Sequence, residues 1–163
     1  MQRSHAGASA FDASENSARS RILSAGRVPV AGAVAEAIGV PEGSPAVMRR
    51  RLVLDEGEPS ELVTLWFPVD VAEGTDLADD QPISIGAREH VQMVKQLRPS
   101  TVVERLCARL ANDAEREALG LDEGPPVLGI TARILDASGD VIAVAEVVLP
   151  GDLHELEDSY PAV

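Results

Sequence analysis

The chain has 163 residues, of which 45% are hydrophobic, enough for one folded domain with a hydrophobic core. Its 27 acidic and 14 basic side chains give a formal net charge of -13, which would repel a nucleic-acid backbone. Aromatic residues make up only 2% of the chain, which argues against a surface for stacking bases. We therefore do not expect this chain to bind DNA by itself.

The sequence gives no sign of export, membrane insertion or a cofactor. Its first residues lack the apolar segment of a secretory signal, and no run of about 18 apolar residues could span a bilayer. We therefore expect a cytoplasmic location and no membrane partner. The single cysteine, Cys107, lies in the apolar context "ERLCARL", which predicts an inert buried thiol. No metal-ligand motif is present, so neither a metal nor a cofactor is predicted.

The first half of the chain predicts an arm, a helix and a hairpin, in that order. Residues 1–27 are rich in Ser, Ala, Gly and Arg without a sustained period, which predicts a linker or disordered arm. "VAGAVAEAIGV" has helical spacing and ends at Gly39. Residues 46–54 and 60–67 predict two strands joined by the turn "DEGEP". An acidic connection follows, with one helical turn at most.

The second half predicts a similar set of elements. Residues 87–97 have the spacing of an amphipathic helix. "TVVERLCARL" predicts a strand, and the next helix has Asn112 or Asp113 as N-cap and Gly120 as its end. "PPVLGITARIL" and "VIAVAEVVLP" predict a second hairpin, and residues 157–163 predict a flexible tail. The fold class is therefore α+β, a largely antiparallel β-sheet with flanking helices.

Residues 28–156 resemble the UTRA domain, the C-terminal effector-binding domain of the HutC branch of GntR transcription regulators. The order and spacing of several short motifs carry the resemblance: Ile38 to Val40, Arg49 to Arg51, Gly57 to Pro59, Pro68, Glu117 to Leu121, Gly124 to Leu128, Arg133, Asp136 to Gly139, Asp152 and His154. The resemblance implies a chorismate-lyase-like fold, a small-molecule effector and a homodimer. It also implies that DNA is bound through a winged helix-turn-helix domain, which we do not find in this sequence.

The arginines of "VMRRRLVLDEGEP" are the strongest candidates for binding the effector. Side chains alternate along a strand, so Arg49, Arg51 and Val53 share one face, and Arg50 lies on the other. In the family, two arginines one residue apart grip an anionic part of the effector, and the resemblance places them at Arg51 and Val53. Arg51 is thus the first candidate, with Arg49 as a substitute for the missing partner. Alternatively, these arginines are solvated or pair with carboxylates, which is the preferred interpretation for Arg50.

Other candidate ligand residues come from one loop and three strands. Ser84 and Gly86 precede a helix whose free N–H groups favour an anion, and the relatives use this loop similarly. Trp66 is a candidate for pocket contact, although a lone Trp is more often core. The remaining candidates are Glu104, Arg133 and Glu146; the two glutamates could accept hydrogen bonds from an effector or form ion pairs. Both His90 and His154 are expected at the surface.

Three functions remain open from the sequence. The first is an effector-binding domain that senses a small, anionic metabolite and modulates the DNA binding of a full regulator. Sugar phosphates, amino sugars, dicarboxylates, amino-acid breakdown products and fatty acids are all compatible effectors within the family. The second is a chorismate-lyase-like enzyme, against which stands the lack of a recognisable catalytic constellation. The third is a stand-alone partner-binding protein.

Overall fold

A computed structural model describes residues 2–3, 5–122 and 126–162. Along them lie β1 (Gln2–Arg3), α1 (Ala6–Asp12), β2 (Ser20–Pro29), α2 (Gly32–Ile38), β3 (Pro45–Asp55), β4 (Glu58–Pro68), α3 (Val69–Ala72), α4 (Ala87–Lys95), β5 (Thr101–Arg109), α5 (Asp113–Leu119), β6 (Val127–Leu135), β7 (Val141–Pro150) and β8 (Glu155–Leu156). Six strands form an antiparallel sheet in the order β2-β3-β4-β7-β6-β5, and β1 pairs in parallel with β8. The predicted α+β class is confirmed.

Two hairpins form the centre of the sheet, because β4 of the first pairs with β7 of the second. The turn between β3 and β4 places Glu56 and Gly57 at φ 51° and 83°. Two successive left-handed residues match the twist of the flanking strands, and glycine adopts that conformation without strain. Between β6 and β7, the Asp136 carboxylate accepts hydrogen bonds from the N–H groups of Ser138 and Asp140. Both predicted hairpins are confirmed.

Capping residues set the ends of the helices as the sequence predicts. Asn112 accepts a hydrogen bond from the Glu115 N–H, and the Glu115 carboxylate accepts one from the Asn112 N–H, so α5 begins with a complete capping box. Gly39 and Gly120, both left-handed, end α2 and α5. Helix α4 ends at Lys95, two residues before the predicted end.

Much of the segment 1–27 is folded rather than a disordered arm, although residues 13–19 have no helix or strand; positions 1 and 4 lie outside the described residues. The folded parts form α1 and the start of the edge strand β2, and Phe11 of α1 is 2% exposed with its ring 6.3 Å from that of Phe67. A Cβ atom at Gly7 would lie 2.3 Å from the Cβ of Ala132. The small Ala and Gly residues therefore allow a helix to pack closely on the sheet. A disordered arm can have the same composition, so composition alone does not distinguish the two.

Other local predictions need correction. Cys107 is exposed, because β5 is an edge strand with an open side. His154 is buried, with Nε2 2.8 Å from the Ser60 carbonyl oxygen. Residues 157–162 are exposed and without regular structure, and their flexibility stays a prediction. Gly124 of the "Gly124 to Leu128" motif lies outside the described residues. In the described chain, no helix is long and apolar enough to cross a membrane.

Candidate functional site

The six-stranded sheet has two faces, and the predicted ligand residues are divided between them. We call the face covered by α1, α3 and α4 the helix-1 face, and the face covered by α2 and α5 the helix-5 face. Arg49, Arg51 and Glu104 lie on the helix-1 face, with the Ser84 and Gly86 loop beside them; Trp66, Arg133 and Glu146 lie on the helix-5 face. The eight residues therefore do not form a single site.

Arg49 is held inside the protein by a buried ion pair. Its guanidinium donates from Nε and Nη2 to the Glu15 carboxylate at 3.2 and 2.6 Å, and the Arg49 and Glu15 side chains are each 1% exposed. The remaining donors reach backbone carbonyl oxygens of the loop before α4, including those of Leu77 and Gln81 at 2.8 Å. All five N–H groups are thus used in this structure, which agrees with the alternative of pairing with a carboxylate, and the role of Arg49 in binding the effector stays a prediction.

Arg51 lies at a cavity of about 220 Å³ beneath α1. The residue is 4% exposed, and its Nη2 donates to the Ala10 carbonyl oxygen at 2.8 Å. The polar residues that line this cavity are Ser9, Ser14, Ser17, Arg19, Ser20, Arg51 and Glu61. Among the described residues, the buried Ser20 Oγ has no hydrogen-bond partner. We call this space the serine cavity.

The loop before α4 supports the end of α1 in this structure. Gly86 has a φ of 82°, and a Cβ at this position would lie 2.5 Å from the Asp12 carbonyl oxygen. Glycine is thus required here by packing, whatever the loop binds. The Ser84 hydroxyl accepts a hydrogen bond from the Asn16 side chain at 3.2 Å. The lining of the serine cavity includes neither Ser84 nor Gly86, so their predicted role in binding an anion stays a prediction.

Glu104 belongs to a different cavity on the same face, of about 420 Å³, between α1 and β5. The Gly7 N–H lies 3.5 Å from a carboxylate oxygen of Glu104. His5, the acidic residues Glu157 and Asp158, and apolar side chains complete the lining. Glu104 and Arg51 thus line separate cavities, and the role of Glu104 in binding the effector stays a prediction.

The helix-5 face holds a network of charged side chains. Trp66 Nε1 donates to the Glu146 carboxylate at 2.7 Å, and Arg109 donates two hydrogen bonds to Glu115 at 2.7 and 2.8 Å. Burial disfavours the Glu115 carboxylate, but Arg109 and the Asn112 N–H outweigh that effect and hold the pKa of Glu115 below its usual value. Glu146 and Trp66 therefore fix each other, as do Arg109 and Glu115.

The sequence did not single out the serines of the N-terminal segment or the arginines of β5. The serines were assigned to an arm, although Ala6, Ala10 and Phe11 have the spacing of a buried helical stripe. Alternation along β5 would have placed Arg105 and Arg109 on one face. Within residues 5–122 and 126–162, no group of three or more His, Cys, Asp or Glu side chains is placed to hold a metal ion.

Several solved structures share this fold. The chain aligns with the C-terminal domain of Yurk from Bacillus subtilis at a TM-score of 0.76 and 18% identity, covering 86% of this chain and 95% of that one. The ligand-binding domain of a GntR-family regulator from Bordetella bronchiseptica gives 0.74 and 20%, covering 91% and 95%. The effector domain of PhnF from Mycobacterium smegmatis gives 0.74 and 16%, covering 88% and 86%. The fold is that of GntR-type effector domains.

The sequence also matches a known protein family over most of its length. The UTRA domain family matches residues 13–155, and the chain belongs to that family. An uncharacterised HTH-type transcriptional regulator of Streptomyces coelicolor is 27% identical over 121 residues, which are 73% of this chain and 45% of that protein. The chain thus spans less than half the length of this relative. Membership of the HutC branch stays a prediction.

Proposed function

We propose that this chain is the effector-binding part of a GntR-type transcription regulator and that it senses a small anionic metabolite. Membership of the UTRA family supports the ligand-binding role. In the proposed mechanism, the effector changes the affinity of a winged helix-turn-helix domain of the whole regulator for DNA. Because that DNA lies in the cytoplasm, we place the protein there.

The observation that supports an anionic effector is that Arg51, which is only 4% exposed, lines the serine cavity. Guanidinium groups bind carboxylate and phosphate through parallel N–H donors, and Arg19 adds a second positive charge to the same lining. Glu61 also lines the cavity, and it favours a ligand that carries a hydroxyl or amino group beside its anionic group. The size of about 220 Å³ favours sugar phosphates, amino sugars and small organic acids over the longer fatty acids.

The effector would act through α1. The hydrogen bond from Arg51 to Ala10 connects the cavity to this helix, and four serines of residues 9–20 line the same cavity. A ligand that takes donors of Arg51 would favour a different position of α1. The resulting shift is limited by the difference in affinity between the two positions. Helix α1 precedes β2, so its position also affects the start of the sheet.

Thermal unfolding against phosphosugars, amino sugars and organic acids tests this proposal. A ligand at 100 times its dissociation constant adds about 2.7 kcal/mol to the free energy of unfolding. We expect Arg51→Gln and Ser20→Ala to lower the affinity for the ligand that stabilises the chain. The exposed variant Arg98→Gln should leave that affinity unchanged. Ser20→Ala removes a hydroxyl that lacks a partner, so it should keep the unliganded fold. A ligand that binds both variants as tightly as the parent chain would refute the serine cavity as its site.

Binding without turnover is part of the proposal, because the relatives are transcription regulators or domains of them. Incubation of the chain with chorismate should leave the substrate unchanged. Formation of 4-hydroxybenzoate at a rate that depends on protein concentration would favour the enzyme alternative instead. If no ligand of the panel stabilises the chain and the chain captures a defined protein, the partner-binding alternative would be favoured.

We further propose a homodimer formed through the β5 edge. Strand β5 ends the six-stranded sheet, and Val102, Val103 and Leu106 are 37–53% exposed along it. Long apolar edge strands promote association, and a second copy offers the same edge under twofold symmetry. We expect Leu106→Lys to shift the mass in sedimentation from dimer to monomer, while Met93→Lys on α4 leaves it unchanged. A dimer that persists in Leu106→Lys would contradict this interface.

A further inference from the structure

The helix-5 face carries a groove between α2 and α5, on the opposite side of the sheet from the serine cavity. The groove consists of two adjoining cavities of about 220 and 320 Å³, which share Ala33 and Thr131 in their linings. Their combined space is in the range of small-molecule sites. We call it the arginine groove.

Four arginines line this groove, although the whole chain has only 14 basic against 27 acidic side chains. They are Arg50 from β3, Arg105 and Arg109 from β5, and Arg133 from β6. Three strands that are distant in sequence therefore bring positive charge together. The carboxylates of the lining are Glu36, Glu115 and Glu146, so four arginines face three glutamates here, against 14 basic and 27 acidic side chains in the whole chain.

Two of the arginines are fixed by neutral or acidic partners. Arg50 Nε donates to the Thr64 hydroxyl at 2.9 Å, and Arg109 is held by both carboxylate oxygens of Glu115. Gly129 leaves the space that Arg109 occupies, since a Cβ there would lie 3.1 Å from Arg109 Nε. These two side chains thus form a preorganised wall.

The other two arginines have donors to offer. In the described chain, the guanidinium groups of Arg105 and Arg133 make no hydrogen bond and no ion pair. Arg105 lies opposite Thr131 and Arg133 lies opposite Val103, so the two arginines are diagonal neighbours on one face. Like charges at such positions repel each other, and an anion between them would relieve that repulsion.

We propose that the arginine groove is a second ligand site that binds a carboxylate or phosphate group between Arg105 and Arg133, with the Thr131 hydroxyl beside it. Glu36 lines the groove beside the two arginines, and farther along it Glu146 offers carboxylate oxygen acceptors. Glu146 is oriented by its hydrogen bond from Trp66. The rest of the ligand therefore carries hydroxyl or amino groups rather than an alkyl chain. This site does not depend on the proposed function of the serine cavity.

Titration of the labelled chain with inorganic phosphate and with citrate, followed by amide NMR shifts at constant ionic strength, tests the proposal. We expect saturable shifts at residues 103–107 and 129–133 with one or both anions, and the more effective anion identifies the group that the site prefers. The variant Arg105→Gln/Arg133→Gln should bind at least tenfold more weakly. The single variants Arg51→Gln and Arg98→Gln should show the same shifts at residues 103–107 and 129–133 as the parent chain, with the same dissociation constant.

Three results would overturn the inference. One is the absence of saturable shifts with both anions. Another is an equal loss of binding in Arg98→Gln, which would indicate a general charge effect. The third is a set of shifts confined to residues 9–20 and abolished in Arg51→Gln, which would assign the anion to the serine cavity alone. Intact amide spectra of each variant confirm that its fold is retained.

Discussion

At the residue scale, the three consecutive arginines of β3 occupy three different environments. Arg49 is buried in an ion pair with Glu15, Arg50 donates to Thr64 on the opposite face, and Arg51 lies at the serine cavity. Adjacent residues of a strand point to opposite faces, which separates Arg50 from the other two. Arg49 and Arg51 differ because the first contacts the loop before α4 and the second contacts α1. One arginine of the triplet therefore stabilises the fold, and another is a candidate for binding a ligand.

The ion pair of Arg49 gives the first prediction. Arg49→Met leaves the buried Glu15 carboxylate without its partner, and Glu15→Gln leaves the buried Arg49 guanidinium without a counter-charge. Each variant should lower the free energy of unfolding by about 3–5 kcal/mol. The double variant should lose less than the sum. Arg88→Met breaks the exposed pair with Asp12 and should cost about 1 kcal/mol or less. Urea unfolding measures these costs, and equal losses in Arg49→Met and Arg88→Met would contradict the burial argument.

At the scale of the element, helix α5 is fixed by its own first turn and by one contact from β5. Its capping box is local and can be read from "NDAE", with Asn112 three residues before Glu115. The bidentate contact from Arg109 adds a link between the helix and the sheet. Glu115 thus serves as a cap and as an ion-pair partner at the same time.

The lowered pKa of Glu115 predicts how the stability of α5 depends on pH. A carboxyl group whose pKa is lower in the folded state stabilises the fold above its unfolded pKa, and this contribution is lost as the pH falls through the folded pKa. Glu115→Gln should therefore cost roughly 1 kcal/mol at neutral pH, since Arg109 is partly exposed. The gap between the parent and variant should close in urea unfolding below about pH 4.

Glu117→Gln is the matched control for this measurement, because Glu117 is an exposed residue of the same helix. Its effect on the free energy of unfolding should stay within about 0.5 kcal/mol. A gap between Glu115→Gln and the parent chain that is constant from pH 7 to pH 3 would show that the charge of Glu115 does not stabilise the fold.

At the scale of the whole molecule, the N-terminal segment completes the main core. Ala6, Ala10 and Phe11 belong to the same buried cluster as Phe67 and Ala132. Removal of residues 1–17 should expose this face and lower the free energy of unfolding by at least roughly 3–5 kcal/mol, the cost of losing one large core side chain. Removal of residues 157–163, of which 157–162 are exposed, should change it by about 0.5 kcal/mol or less. Equal melting temperatures for the two truncations would restore the interpretation of the segment as a linker.

The sequence by itself determined the elements whose causes are local. Alternating apolar residues, the turn at Glu56 and Gly57, and the caps at Asn112, Gly39 and Gly120 each act over a few residues, so the hairpins, helix ends and α+β class were predictable. The order of short motifs along the chain was enough to indicate the UTRA family, which the match over residues 13–155 confirms.

Only the tertiary structure decided which side chains meet. The partners Arg49 and Glu15 are 34 residues apart, and Trp66 and Glu146 are 80 apart, so no local pattern connects them. Helix α1 is stable because it packs on the sheet, since seven residues are too few to form an isolated helix in water. The division of the candidate residues between two faces follows from strand register and from the helices that cover each face, both of which depend on contacts across the whole chain.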